Sequence, residues 1–135
     1  MDKIPVTETA VIIRTDFSDD RQWSNLKRIA MDPPDPFHGN FEFIENSACQ
    51  EKELEELLQM LPKDYPHPVL FVADEEAMAE KGFPCLVVDL LETKGQTFRA
   101  IARQLASIEN NLSIANMGFE EFADAVDAEG VFRGF

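Results

Sequence analysis

The chain has 135 residues, of which 44% are hydrophobic, enough for one folded domain with a buried core. Its 12 lysines and arginines are outnumbered by 26 aspartates and glutamates, which gives a formal net charge of −14. Nucleic acids and anionic membrane surfaces are bound through basic faces. The charge therefore argues against both classes of partner. A strongly acidic surface mainly confers solubility, and it is also compatible with a protein partner that has a basic surface.

Targeting signals and cysteines bear on where the protein works. The sequence has no run of about 20 apolar residues that would span a membrane, and its first residues lack the pattern of a secretory signal. Cys49 and Cys85 each adjoin apolar residues, as buried reduced thiols do. We therefore expect a cytoplasmic protein, a monomer or a small homo-oligomer, with residues 1–135 in a single domain.

The first strand and helix are predicted in residues 9–30. A run of three β-branched residues in segment 9–15 is typical of a strand buried on both faces. Ser18 then precedes two aspartates and an apolar face, which predicts a helix with Ser18 as its N-cap. Residues 31–40 contain three prolines and a glycine, so we expect a loop that folds over one end of the sheet.

The middle of the chain continues this alternation. Residues 41–45 alternate in polarity like a half-covered strand. Ser47, with Gln50 three residues later, is predicted to cap a helix with a leucine stripe that ends at Pro62. Further strands are predicted at residues 69–74, 85–91 and 97–102, with a short helix between the first two.

Three asparagines stand among apolar residues near the C-terminus, although asparagine is a poor helix former. The sequence from Asn116 to Gly118 predicts a break between two helices, with Asn116 either ending the first helix or capping the second. Asn110 and Asn111 lie on the polar side of the first helix, where this break does not explain them. They are therefore kept as candidate ligand-binding residues.

The order of these elements predicts the fold class. Strands that alternate with helices form a layered α/β fold around a mostly parallel sheet. We expect a single α/β domain with a mostly parallel sheet of about five strands and helices on both faces.

Three blocks of the sequence resemble a known family. They are IRTDFSDDRQW at residues 13–23, CLVVDL at residues 85–90 and the long string at residues 98–135. They are similar to the matching blocks of a bacterial family of small soluble domains, a domain of unknown function. The resemblance covers the first quarter and the last third of the chain best. It implies a stand-alone or appended soluble domain and carries over no catalytic residue.

Acidic residues stand at the predicted carboxyl ends of four strands. They are Asp16, Glu45, Asp74 and Asp89. In a parallel sheet these ends share one edge, where α/β proteins bind ligands. Clustered carboxylates suit magnesium, but aspartate is also an ordinary strand-end and cap residue, so no metal ligand is assigned. The candidate ligand-binding residues are Asp16, Asp74, Asp89, Arg103, Asn110 and Asn111.

Three arginines are also predicted near strand ends. Arg14, Arg99 and Arg103 have the geometry to clamp the carboxylate of a ligand. On so acidic a chain, pairing with the surplus acids is the simpler expectation.

Each catalytic motif that we considered lacks at least one of the residues it requires. His38 and His67 lie in proline-rich loops, and neither cysteine has a basic neighbour in the sequence. No glycine-rich phosphate loop follows a strand. We therefore assign no catalytic residue and no cofactor.

These observations favour a soluble, non-enzymatic interaction or regulatory module. Two alternatives stay open. One is a small-molecule or magnesium-dependent enzyme that uses the acidic strand ends, and the other is an acidic inhibitor or immunity-type protein that binds a basic partner. The observation that best distinguishes these three functions is whether Asp16 and Asp74 line the same pocket.

Overall fold

The computed structural model describes residues 4–91 and 93–135, and these residues contain one six-stranded sheet and five α-helices. The strands are β1 (Ala10–Arg14), β2 (Phe41–Ile44), β3 (Val69–Ala73), β4 (Pro84–Asp89), β5 (Thr97–Ile101) and β6 (Val131–Phe132). The helices are α1 (Asp20–Ala30), α2 (Leu54–Met60), α3 (Glu75–Ala79), α4 (Leu105–Ser113) and α5 (Phe119–Ala123). None of the described helices is long and apolar enough to cross a membrane.

The strand order is β2-β1-β3-β4-β5-β6, and every strand except β4 points the same way. The predicted α/β class is thus confirmed, with six strands instead of five because β6 is too short to show a strand pattern. The direction of β4 has a physical reason. Residues 74–83 join β3 to β4, and these ten residues are fewer than the dozen or so that a parallel crossover needs.

Two cores lie on the two faces of the sheet because successive strand residues point to opposite sides. Ile12 belongs to the first core, with Trp23 of α1 and Phe122 of α5. Ile13 belongs to the second core, where it packs in one cluster with Leu57 of α2. Residues of α3 and α4 also belong to the first core. Four of the described helices therefore cover one face of the sheet and α2 covers the other, which confirms the expected placement of helices on both faces.

The N-cap of α1 is Asp19 and not Ser18 as predicted. The Asp19 carboxylate accepts hydrogen bonds from the backbone N–H groups of Arg21 and Gln22. Ser18 precedes this cap, and its backbone N–H donates to the carboxylate of Asp16 at 2.9 Å. The helix consequently begins one residue later than its sequence indicates.

The predicted helix cap at Ser47 is also wrong. Ser47–Cys49 is a short 3-10 turn capped by the Asn46 side chain, and α2 begins only at Leu54. Glu51 separates the two because its φ of +58° is left-handed and ends a right-handed helical path. This break turns the chain toward the carboxyl end of β1.

The predicted break between the last two helices is confirmed, but Asn116 neither takes the left-handed conformation nor caps α5. Ala115 has the left-handed backbone, with φ of +56°, and Gly118 is the N-cap of α5. The Asn116 side chain instead donates a hydrogen bond of 2.8 Å to the side-chain oxygen of Asn111.

Candidate functional site

A cleft of about 520 Å³, here called the acidic cleft, opens at the carboxyl ends of β1 and β3. Its acidic lining residues are Asp16, Glu51, Glu53, Asp74, Glu75 and Glu76. Its apolar lining residues are Leu54, Leu57, Val72 and Leu86. Lys52 and Arg99 are its only basic lining residues within the described parts of the chain.

The backbone of Thr15 holds three segments together at this cleft. Its N–H donates to the carbonyl of Ala73 at 3.0 Å, and its carbonyl accepts from the N–H of Glu51 at 2.8 Å. The end of β1 is thus fixed to the end of β3 and to the segment before α2. Asp16 and Asp74, which follow these two strand ends, consequently line the same cavity.

Asp74 forms a two-point ion pair with Arg99. Guanidinium nitrogens Nη1 and Nη2 donate to the two carboxylate oxygens at 2.9 and 2.7 Å. The first of these oxygens also accepts from the N–H of Ala77, so Asp74 caps α3. Partial burial on its own would raise the pKa of Asp74, but the hydrogen bonds from Arg99 and Ala77 outweigh it and hold the pKa below its ordinary value.

Arg99 joins β5 to two neighbouring elements. Its Nε contacts the carboxylate of Glu76 in α3 at 2.8 Å, and its Nη1 also donates to the carbonyl of Pro84 in β4 at 2.9 Å. Burial would lower the pKa of Arg99, but the pairing with Asp74 and Glu76 raises it. The expectation that this arginine pairs with surplus acids is confirmed.

Arg14 makes a second ion-pair network on the other face of the sheet. Its side chain is only 2% exposed and contacts Asp20 at 2.8 Å and Glu45 at 3.3 Å. The guanidinium also lies 4.6 Å from the centre of the Phe17 ring and 5.5 Å from that of Trp23. Glu45 is therefore neutralised outside the acidic cleft.

Comparison with known protein families identifies the family of this chain. A family model described as a domain of unknown function, DUF6924, matches residues 9–135. The chain belongs to this family. No curated protein matches the sequence. The match agrees with the expected membership of a family of unknown function, and its bacterial origin stays a prediction.

In this DUF6924 domain, Asp89 does not share the edge of Asp16 and Asp74 as its position after a strand suggested. Because β4 is antiparallel, Asp89 pairs in register with Val69, the first residue of β3, at the opposite end of the sheet. The buried carboxylate of Asp89 accepts hydrogen bonds from the backbone N–H groups of Leu91 and Thr93. It organises the turn between β4 and β5.

Asn110 fastens the proline-rich loop to α4. Its side-chain oxygen accepts from the backbone N–H of His38, and its Nδ2 donates to the backbone carbonyl of the same residue, both at 3.2 Å. Phe37, next in sequence, packs against the first core. These contacts agree with the expectation that the loop is folded down on the domain.

Asn111 and Arg103 also lie away from the acidic cleft. The buried side chain of Asn111 donates to the carbonyl of Ser107 at 2.8 Å and accepts from Asn116, which explains its place at the end of α4. Arg103 is exposed and makes no ion pair with any residue that the structure describes. Ligand binding by these residues stays a prediction.

The thiols and the metal-binding groups offer little chemistry to the cleft. Cys49 and Cys85 are free and fully buried, and burial raises the pKa of both thiols. In residues 4–91 and 93–135, no group of three or more His, Cys, Asp or Glu side chains is arranged to hold a metal ion. The expected buried cysteines are thus confirmed.

The sequence analysis missed all four glutamates of the cleft, which are Glu51, Glu53, Glu75 and Glu76. Glu53 and Glu75 stand at the starts of α2 and α3, where acids are common for helix stability alone. Glu51 reaches the cleft through its left-handed backbone, which leaves no mark in the sequence. Only Glu75 and Glu76 carried a signal, because a short helix is predicted directly after the strand at residues 69–74. Glu53 carried none, because its helix is predicted to begin at Ser47.

Proposed function

We propose that this domain is a non-enzymatic interaction module that binds a basic, extended segment of a protein partner in the acidic cleft. The observation that supports the proposal is an excess of unneutralised carboxylates around an apolar floor. The ion pairing of the carboxylates and the shape of the cleft each support this proposal.

Four carboxylates of the cleft make no ion pair within the described parts of the chain. They are Asp16, Glu51, Glu53 and Glu75. Lys52 pairs at 3.4 Å with Glu56, which does not line the cleft, and Arg99 is already shared by two acids. A ligand with several positive charges would therefore supply interactions that the protein itself lacks.

The shape of the cleft suits long cationic side chains. Lysine and arginine carry a charged head on an apolar stem, and the stem prefers to lie along an apolar surface. Here the floor is apolar and the rim is acidic, with half-buried Leu54 and Leu86 beside exposed Glu51 and Glu75. The volume falls within the range of about 300–1,000 Å³ typical of small-ligand sites. The cleft therefore fits one or two side chains of an extended segment.

The two alternative functions have less support. Both oxygens of Asp74 accept hydrogen bonds from Arg99, so a magnesium ion would have to displace the guanidinium. An oxygen of Asp16 accepts from Ser18. An acidic inhibitor of a basic protein uses the same charge argument, but a stable complex of that kind buries about 1,200–2,000 Å² in total, well beyond this cleft.

A cytoplasmic location is part of the proposal. It is supported by Cys49 and Cys85, which are buried and unpaired as thiols are in a reducing compartment.

The test uses a fluorescein-labelled peptide of alternating arginine and alanine, blocked at both ends, with anisotropy as the readout. We expect the wild-type domain to bind it and the combined change Glu51→Gln, Glu53→Gln and Glu75→Gln to weaken binding about tenfold. Tenfold corresponds to about 1.4 kcal/mol, or roughly 0.5 kcal/mol for each exposed charge contact. A peptide with glutamate in place of arginine should not bind.

The matched control removes the same charge elsewhere, by Glu8→Gln, Glu120→Gln and Glu129→Gln at exposed positions outside the cleft. We expect this control to change the affinity by about twofold or less, because charges beyond about 8 Å are largely screened at 0.15 M salt. Equal losses in the two triple variants would mean that only net charge matters. That result, or no binding by the wild type, would overturn the proposal.

A further inference from the structure

A second cavity, of about 450 Å³, lies at the other end of the sheet and beside the C-terminal part of α2. We call it the lysine groove. Its apolar wall includes Leu58, Leu61, Tyr65 and Leu90, and its charged lining residues are Lys63 and Lys94. No acid lines this groove among the described residues, although the chain as a whole has a net charge of −14.

The two lysines are available to a ligand. Both are exposed, and neither makes an ion pair with a described residue. Some cations of this acidic chain, such as Arg14 and Arg99, are paired with carboxylates, and others, such as Arg103, pair with no acid that the structure describes. Lys63 and Lys94 are distinguished by lining one cavity that has an apolar wall and no acid among the described residues.

On the wall that carries Lys94, three backbone N–H groups near this lysine are held by Asp89. The N–H of Gly95 donates to the carbonyl of Asp89 at 2.9 Å. The carboxylate of Asp89 accepts from the N–H groups of Leu91 and Thr93 at 2.9 and 2.7 Å. These hydrogen bonds hold Leu91, Thr93 and Gly95 in position before any ligand arrives, which lowers the entropic cost of binding.

The wall that carries Lys63 is fixed by Tyr65. The N–H of Tyr65 donates to the carbonyl of Pro62 at 3.1 Å, which closes a turn around Lys63. The Tyr65 hydroxyl accepts from the N–H of Val11 and donates to the carbonyl of Val69, both at 3.2 Å. The aromatic ring is thus anchored to the starts of β1 and β3 and presents a stable apolar surface.

We propose that the lysine groove binds a small amphipathic carboxylate. The carboxylate head would lie between Lys63 and Lys94, and an alkyl or aryl body would lie against Tyr65 and the leucines. Groove size agrees with this ligand class, since sites for small molecules are about 300–1,000 Å³, mostly apolar, with a few placed polar groups. A five-residue strand spans about 16 Å, so at a Debye length of about 8 Å the acidic cleft scarcely weakens the groove's attraction for an anion.

Octanoate is the probe, titrated into the full chain labelled with nitrogen-15 and followed by the shift of the Gly95 amide. We expect saturable binding that Lys63→Gln combined with Lys94→Gln weakens about tenfold, equal to about 1.4 kcal/mol. Octanol, which has the same body without the charge, should bind about tenfold more weakly than octanoate. Inorganic phosphate, which has charge without the body, should not shift Gly95 at the same concentrations.

Lys81→Gln is the matched control, because Lys81 is exposed and lies outside the groove. It should leave the octanoate affinity unchanged, and all variants should keep the wild-type melting temperature, since each replaced side chain is exposed. Equal binding of octanol and octanoate would overturn the proposal, because the lysines would then contribute nothing. Unchanged octanoate affinity in the double lysine variant would overturn it as well.

Discussion

The acidic cleft and the lysine groove lie at the two ends of the sheet and share the helix α2, yet their charges have opposite signs. The first turns of α2 and α3 line the cleft, and acidic residues in the first turn stabilise a helix through its dipole. The lysines of the groove lie in loops outside the described helices, so they do not stabilise a helix through its dipole. Helix stability therefore explains part of the acidity of the cleft and none of the basicity of the groove.

This difference identifies the most informative residues of the cleft. Asp74, Glu75 and Glu76 have a role in the start of α3 whether or not a ligand binds. Asp16 and Glu51 belong to no helix, and Glu51 takes a left-handed backbone that glycine would adopt at lower cost. A strained residue of this kind points to function more strongly than a capping acid does.

The largest effect on stability is expected from Arg99→Gln, which removes the structural cation of the cleft. Asp74 and Glu76 would lose their partner, and breaking a buried ion pair costs about 3–5 kcal/mol. The side chains of Arg99 and Asp74 keep 18% and 28% exposure, so we expect a smaller loss of about 2–3 kcal/mol in urea denaturation. In contrast, Lys94→Gln in the groove should cost about 0.5 kcal/mol or less. Similar losses at the two ends would contradict the structural role assigned to Arg99.

The ion pair also predicts a pH dependence. The pKa of Asp74 is lower in the folded protein than its ordinary value, so its contribution to stability is full above the unfolded value of about 3.9. The contribution is lost as the pH falls through the lower, folded pKa. The stability gap between wild type and Asp74→Asn should therefore narrow as the pH falls below about 4. A gap that stays constant from pH 7 to pH 2 would show that the charge on Asp74 does not contribute.

A smaller loss is expected from Tyr65→Phe at the groove. The variant keeps the ring but leaves the N–H of Val11 and the carbonyl of Val69 without the hydroxyl, which costs about 1–2 kcal/mol. Burial raises the pKa of Tyr65 to about 12. The hydroxyl's contribution is thus full below the unfolded value of about 10 and is lost as the pH rises toward 12. Denaturation at pH 8 and at pH 11 should show the gap between wild type and variant narrowing, and a widening gap would contradict this account.

The smallest effect, and one of opposite sign, is expected from Glu51→Gly. A left-handed backbone costs a residue other than glycine about 1–3 kcal/mol, and the flexibility of glycine in the unfolded chain offsets about 0.5–1 kcal/mol of that gain. We expect a net stabilisation of about 1 kcal/mol, together with weaker binding of the arginine peptide. Glu51→Gln keeps the strain and should weaken the peptide without stabilising the fold. Destabilisation by Glu51→Gly would show that the glutamate side chain has a structural role.

The meeting of Asp16 and Asp74 was predictable from the sequence. Each follows a continuous buried strand, and the carboxyl ends of the neighbouring parallel strands β1 and β3 share an edge. The position of Asp89 was not predictable from its place after a strand. Strand direction depends on the length of the connection from β3, and the sequence shows this length only once the bounds of α3 are known.

The asparagines and the groove show a second limit of the sequence. The polarity of Asn110 suggested a ligand, but its partner in the structure is the backbone of His38, far away in the chain. Lys63 and Lys94 have no pattern in common and line the same cavity only because β4 reverses direction and returns to the start of β3. Such long-range meetings follow from topology, and local periodicity does not encode them.

The central claim is that the two ends of the sheet bind ligands of opposite charge, and one nitrogen-15 spectrum tests it most directly. Adding the arginine peptide should shift the amides of Thr15, Glu51 and Glu75 and leave Leu90 and Gly95 unchanged. Adding octanoate to the same sample should then shift Leu90 and Gly95 alone among these five residues. Two separate sets of shifting amides are the predicted result. One set that responds to both ligands, or no response to either, would contradict the account.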